Sequence, residues 1–288
     1  MIPFRRILFP VDFSPACLAT VPHVRELVKH NQAQLTLFHA ADPTVLVFGP
    51  NGDGLLANVP PWTELVEAEH ARLRAFAAEY FPDLHPALVL KEGDPGTLIA
   101  REVAQAGCDL VMMPTRGEGL FRRLLIGSVA AKVLHDVSCA VWTGVHGLET
   151  EGLRPDIHTV MCAVSFEEET AAIVRAAGAL AKSHGARLIL VHALETPPMA
   201  LEIDFAAFRQ SLMDGADLSL RKLAQEHGLE ATIRVVEGSP SRAIREAAEA
   251  AGADLLVVGR GVSQGLLSQF WTRLYSIVSE SPCPVLSI

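Results

Sequence analysis

The chain reads as one pattern written twice, and that duplication constrains its fold more than any single motif. Leu35-Thr36-Leu37-Phe38-His39-Ala40 returns as Leu188-Ile189-Leu190-Val191-His192-Ala193, 153 residues on. Glu92-Gly93-Asp94-Pro95 returns as Glu237-Gly238-Ser239-Pro240, and Ala106-Gly107-Cys108-Asp109-Leu110-Val111 as Ala251-Gly252-Ala253-Asp254-Leu255-Leu256, both 145 residues on. Cys139-Ala140-Val141 returns as Cys283-Pro284-Val285. Matches in one order at nearly one offset imply a duplicated domain. At 288 residues the chain is about twice a typical domain length. It divides into copies at 1–146 and 156–288, joined by the polar, Gly/Pro-bearing stretch His146–Asp156.

Each copy alternates apolar strands with amphipathic helices. In the first, Arg6–Asp12 reads as a strand. Ser14-Pro15 opens a helix to about His30, with Ser at the N-cap, Pro at the first helical position and Pro22 as a kink. Gln34–Ala40 is a second strand, followed by a Pro/Gly-rich loop from Asp42 to Pro61, whose length suits either a lid or a contact surface. A helix over Trp62–Tyr80, a strand over Ala87–Glu92 and an Asp94-Pro95-capped helix to Ala106 come next. A strand over Asp109–Met113, a helix over Gly127–Asp136 and a strand over Cys139–Thr143 complete the copy. The second copy places strands near 158–164, 187–193, 231–237, 254–259 and 284–288, and helices near 167–184, 202–227, 240–251 and 267–280. Such alternation predicts an α/β fold, a parallel sheet covered on both faces. Ligands then sit beyond the carboxyl ends of its strands, where strand order reverses.

One segment of the first copy carries a chemical signal. The apolar run Asp109–Met113 stops at Pro114-Thr115-Arg116-Gly117, and a basic loop leads into Gly127-Ser128-Val129, a helix start. Free first-turn amides, the positive helix end and nearby guanidinium groups suit an anion. Arg116, Arg122 and Arg123 can pair bidentately with phosphate oxygens.

Charge excludes other functions. Residues 1–150 carry 12 basic and 16 acidic side chains and residues 151–288 carry 12 and 17, so neither half has the excess a nucleic-acid surface needs. Five cysteines form no C-x-x-C pair and no zinc-spaced cluster, which suits free thiols in a reducing compartment. No segment reads as a signal peptide or membrane span, so the expected location is cytoplasmic.

Taken in order, Val11-Asp12-Phe13-Ser14, Leu37-Phe38-His39-Ala40, Glu92-Gly93-Asp94-Pro95, the glycine loop with Gly127-Ser128-Val129, and Cys139-Ala140-Val141 resemble the universal stress protein family in its tandem form. The resemblance covers essentially the whole length. It implies two Rossmann-like domains of the adenine nucleotide alpha hydrolase kind, each a five-stranded parallel sheet flanked by helices. It also implies domains paired within the chain through Cys139–Thr143 and Pro284–Ile288, room for a homodimer, and a regulatory protein partner. ATP-binding members carry Gly-x2-Gly-x9-Gly-Ser. Here Gly117 and Gly127-Ser128 fit the second part, while Pro114 stands at the first glycine. By the same carry-over Asp12 faces the base or ribose, Ala40 offers backbone to adenine, and Gly117, Gly127, Ser128 and Val129 cradle phosphates. A magnesium ion can accompany the nucleotide.

The second copy departs further: Ser165 replaces the acid, and Trp271-Thr272 replaces Gly127-Ser128. A tryptophan there would fill the triphosphate's space, so this half is expected to be a degenerate site. His39 and His192, at equivalent strand ends, read as structural histidines with no carboxylate tied to them. The loop lacks the Gly-Lys-Ser/Thr of a Walker site, so weak ATP hydrolysis at most is expected. The leading expectation is ATP binding in the N-terminal domain as a stress-response sensor. The alternative is a nucleotide-free interaction scaffold.

Overall fold

A computed structural model describes residues 4–41, 61–115, 126–145, 155–167, 169–195, 205–260 and 267–288, with no side chains for Phe205 and 267–272. The chain divides into two compact units, Pro3–Pro155 and Asp156–Ile288.

In the N-terminal unit the elements run β1 (Arg6–Pro10), α1 (Pro15–Asn31), β2 (Gln34–Ala41), α2 (Trp62–Tyr80), β3 (Ala87–Glu92), α3 (Pro95–Ala106), β4 (Leu110–Met113), α4 (Ser128–Asp136) and β5 (Ala140–Thr143). Their sheet order is β3-β2-β1-β4-β5, and every pairing is parallel. The C-terminal unit repeats the plan with β6 (Thr159–Ala163), α5 (Thr170–His184), β7 (Arg187–Leu194), α6 (Phe205–Glu226), β8 (Ala231–Glu237), α7 (Pro240–Ala251), β9 (Leu255–Val258), α8 (Leu267–Glu280) and β10 (Val285–Ser287). Its order is β8-β7-β6-β9-β10, again parallel.

The boundaries follow local chemistry. Ser14 caps α1, its Oγ accepting the Cys17 N–H at 3.1 Å, and Asp94 caps α3 by accepting the Thr97 N–H at 3.0 Å. Gly107 and Gly252 close α3 and α7 in the left-handed region. Gly93 and Gly238 adopt φ of 129° and 127°, which explains why the turn before each capped helix repeats its glycine. The repeated aspartate has a purpose too. Asp109 accepts the backbone N–H groups of Arg5 and Arg6 (2.7 and 3.1 Å), and Asp254 those of His158 and Thr159 (2.9 and 2.8 Å). Each thereby locks the start of β1 or β6 beside the strand it pairs with. β1 ends two residues before the sequence pattern suggested, although the Val11 N–H still reaches Phe38 O at 2.8 Å. α1 runs through Pro22 to Asn31.

The core of the N-terminal unit holds Phe9, Phe38 and Phe81, all but fully buried, with Leu37, Leu110 and Met112. In the C-terminal unit β6, β7 and β9 contribute Met161, Leu190 and Leu256. The central strands β4 and β9 are buried along their whole length, as strands with both faces covered must be.

Candidate functional site

Strand order reverses between β1 and β4, so the carboxyl edge of these two strands opens a crevice. Pro10 pairs with Phe38, and Leu8 with Val111. Carried two residues past Pro10, that register brings Asp12 level with Ala40 and Thr115. The chain turns away here through Phe13, whose φ of 60° is costly for a residue with a Cβ. Asp12 stabilises the turn: its Oδ1 accepts the Ser14 N–H at 3.0 Å and the Ser14 hydroxyl at 2.7 Å.

Ala40 presents its backbone to the same space. In a parallel strand N–H and C=O of one residue share a side, and successive residues alternate. Phe38 O faces β1, where it accepts Val11 N–H, and Ala41 O faces β3, where it accepts Gly93 N–H at 3.1 Å. Ala40, two residues on from Phe38, therefore aims its amide and carbonyl past the end of β1.

His39 braces the turn from behind. Its Nδ1 lies 2.7 Å from Val11 O, so this nitrogen carries the proton, and its ring packs on Phe13 at 4.9 Å. On the other side Nε2 lies 3.3 Å from Glu69 Oε2 of α2. The two atoms make no hydrogen bond, and Glu69 Oε2, although buried, has no hydrogen-bond partner among the described residues. Arg72 lies over the Phe13 ring, 4.0 Å from its centre, and 3.8 Å from Glu69. A carboxylate thus does face His39, contrary to the sequence expectation. The 30 residues of sequence between them hide the pairing from any local pattern.

Across the crevice, Pro114 and Thr115 follow β4 and are buried. Thr115 O accepts the Gly127 N–H at 2.9 Å, setting the start of α4 beside the sheet edge. Gly127 is the N-cap in an ordinary extended conformation (φ −61°, ψ 148°), and among the described residues no side chain caps the helix. Ser128 is therefore the first helical residue and caps nothing. The amides of Ser128 and Val129, in the first turn, have no carbonyl one turn back to bond. Gly127 contributes by lacking a side chain, because its own N–H is already used. Arg116, Gly117, Arg122 and Arg123 lie outside the described residues.

The C-terminal unit repeats the turn. Phe166 adopts φ 61° and packs on His192 at 4.7 Å, and His192 Nδ1 lies 2.7 Å from Val164 O. The side chains of Trp271 and Thr272 lie outside the described residues. Among the described residues no helix is long and apolar enough to cross a membrane.

These features were compared with known proteins. A family model described as the universal stress protein family matches residues 3–143 and again 156–288. A universal stress protein of Thermus aquaticus is 31% identical over 135 residues, covering 45% of this chain and 97% of its own length. Another, from Methanocaldococcus jannaschii, is 25% identical over 142 residues, 48% of this chain and 80% of the relative. The crystal structure of a universal stress protein from Archaeoglobus fulgidus has a TM-score of 0.69 at 19% identity, covering 98% of this chain and 95% of that one. A functionally unknown protein of Pseudomonas aeruginosa PAO1 has a TM-score of 0.62 at 16% identity, covering 99% and 92%. With the family model matching twice, once over each repeat of the fold, the chain belongs to the universal stress protein family in its tandem, two-domain form.

Proposed function

We propose that the N-terminal domain binds an adenine nucleotide, ATP, at the carboxyl edge of β1, β2 and β4, and that the protein acts as a regulatory binder rather than a turnover enzyme. The observation that carries this reading is the start of α4, which no side chain caps among the described residues and which Thr115 O holds at the sheet edge. First-turn amides without an acceptor and the positive end of the helix suit a phosphate. The other end of a nucleotide has matching partners: Ala40 backbone groups for the rim of adenine, and the Asp12 carboxylate for a ribose hydroxyl. Arg116, Arg122, Arg123 and Gly117 would complete the phosphate surface, with magnesium held by the nucleotide itself. Among the described residues no nucleophile and base stand in line at this edge, and binding alone accounts for the groups present.

A nucleotide-free scaffold is the second reading, and specific observations favour it. Pro114 has no N–H at the position of the family's first glycine, and Thr115 already takes the Gly127 N–H. Titration calorimetry with ATP separates the two. Saturable binding is expected in the parent chain. In Asp12→Asn the amide oxygen can still hold Ser14 while the charge facing the ribose is gone, and we expect roughly 10-fold weaker binding, the scale of one charge-assisted hydrogen bond. Gly127→Trp should abolish binding, because an indole would occupy the start of α4. Absence of any saturable ATP signal in the folded parent would establish the scaffold.

A further inference from the structure

The turn after the first strand is built in both domains but braced in only one. Phe13 and Phe166 both hold a left-handed backbone, φ 60° and 61°, and each ring packs on the histidine of the next strand, His39 or His192. Each histidine places Nδ1 2.7 Å from a valine carbonyl, Val11 or Val164. The strain is therefore shared, and so is the histidine beneath it.

The helix that follows makes the difference. Leu73 of α2 and Leu220 of α6 are both fully buried, and Trp62 and Arg209 each reach the glutamate ending the next strand, Glu92 at 2.8 Å and Glu237 at 3.3 Å. Both pairs are 147 residues apart in sequence, which aligns the two helices residue by residue. On α2 the Arg72 guanidinium lies over the Phe13 ring, 4.0 Å from its centre, and Phe76 meets that ring edge-on at 5.6 Å. Glu69 stands 3.8 Å from Arg72 and 3.3 Å from His39. At the aligned positions α6 has Ala216, Ser219 and Leu223. Exposure follows: Phe13 is half-buried, whereas Phe166 is 41% exposed.

Folding stability alone does not account for Arg72. Its side chain is 52% exposed, and an ion pair of 3.8 Å on such a surface contributes little. What it covers closely is Phe13, the residue after Asp12. A cation on an aromatic face offsets backbone strain of the same order. The brace also accompanies the acid, since the domain without it has Ser165 in place of Asp12.

We infer that Arg72 is a positioning residue for the N-terminal site. By holding the Phe13 ring against His39 and Phe76, it fixes the turn on which the Asp12 carboxylate stands and couples α2 to whatever binds at the carboxyl edge. Its effect on nucleotide affinity rests on the nucleotide reading above; its hold on the turn does not.

Hydrogen exchange of the full chain without ligand tests that hold. The reporters are the Ser14 N–H, accepted by Asp12 Oδ1 at 3.0 Å, and the Cys17 N–H, accepted by Ser14 Oγ at 3.1 Å. In Arg72→Ala they should exchange about fivefold faster, the scale of one exposed cation–π contact, with the Phe166 turn unchanged. Arg72→Lys keeps a cation over the ring and should stay near the parent. Calorimetry then tests the site. Arg72→Ala should weaken ATP and AMP by the same factor, about fivefold, because both carry the ribose that Asp12 faces. In a Phe13→Gly background, where a left-handed backbone costs little and the ring is gone, Arg72→Ala should add nothing. Unchanged exchange in Arg72→Ala overturns the inference. So does weakening confined to ATP, which marks a direct phosphate contact, or a full Arg72 effect persisting in Phe13→Gly. If the parent binds neither nucleotide, the nucleotide reading fails; faster exchange in Arg72→Ala still supports the brace, and unchanged exchange still overturns it.

Discussion

Cys17, Cys162 and Cys283 show how strongly single positions in this fold are governed by burial. Burial pushes each of these thiols up to about 12, and the charge of Asp12 adds to the effect at Cys17. Cys108 rises to about 11, first through burial and then through Glu102 and Asp109. A thiol is reactive only as the thiolate, so these four should resist alkylation in the folded chain. Iodoacetamide at about pH 8 should label at most the half-buried Cys139 before denaturation and all five cysteines afterwards, read by intact mass. Labelling of Cys162 in the native chain would contradict the account. The same shifts set a pH dependence. Above the ordinary thiol value of about 9 the unfolded chain holds fewer protons than the folded one, so stability falls as pH rises through the alkaline range. At the residue scale the sequence was readable where chemistry is local. Ser14 and Asp94 announced their caps, and Gly93 and Gly238 marked turns that require positive φ. It was not readable at Phe13 and Phe166, because nothing in their side chains signals a left-handed backbone. Nor could it show Glu69 reaching His39, a contact across 30 residues of chain.

At the scale of elements, stability lies in how helices seat on the sheet, and Gly178 is a sensitive point. Gly178 lies inside α5, where alanine would ordinarily stabilise by about 1 kcal/mol. Here a Cβ would press on the Leu229 side chain, with Leu229 Cγ at 3.3 Å and both terminal methyls closer. Overpacking of this kind costs about 1–3 kcal/mol, so Gly178→Ala should lower stability by about 1 kcal/mol in urea unfolding. In a Leu229→Ala background the same substitution should become neutral or stabilising, and a gain in the parent background would contradict the packing. The strands and helices themselves were largely legible, because caps, glycines and alternating apolar runs agree in each segment. α2, β3 and α3 fall on the residues the pattern indicated, Trp62–Tyr80, Ala87–Glu92 and Pro95–Ala106. The small differences sit where backbone pairing and side-chain pattern part company. β1 gives up Asp12 to the turn, and α5 starts at Thr170, three residues later than its acidic run suggested.

For the whole molecule, duplication followed by divergence is the organising fact. Both halves keep the strand order, the locking aspartates and the Phe–His turn, so the architecture was legible from the repeat alone. What diverged is the lining of each crevice. The first has Asp12 and a helix opening on Gly127-Ser128, whereas the second has Ser165 and a pocket lined by Glu167, Glu169, Arg260 and Arg273 beside Ile173 and Ile244. A missing phosphate motif could be read in the sequence. The remaining space could not, since its size depends on how Ile173, Ile244 and Leu274 pack together. The central claim is that only the N-terminal crevice accepts a nucleotide, and the stoichiometry of ATP binding to the full chain tests it most directly. Calorimetry should give one ATP per chain, lost in Gly127→Trp. Two ATP per chain, or none, would contradict it.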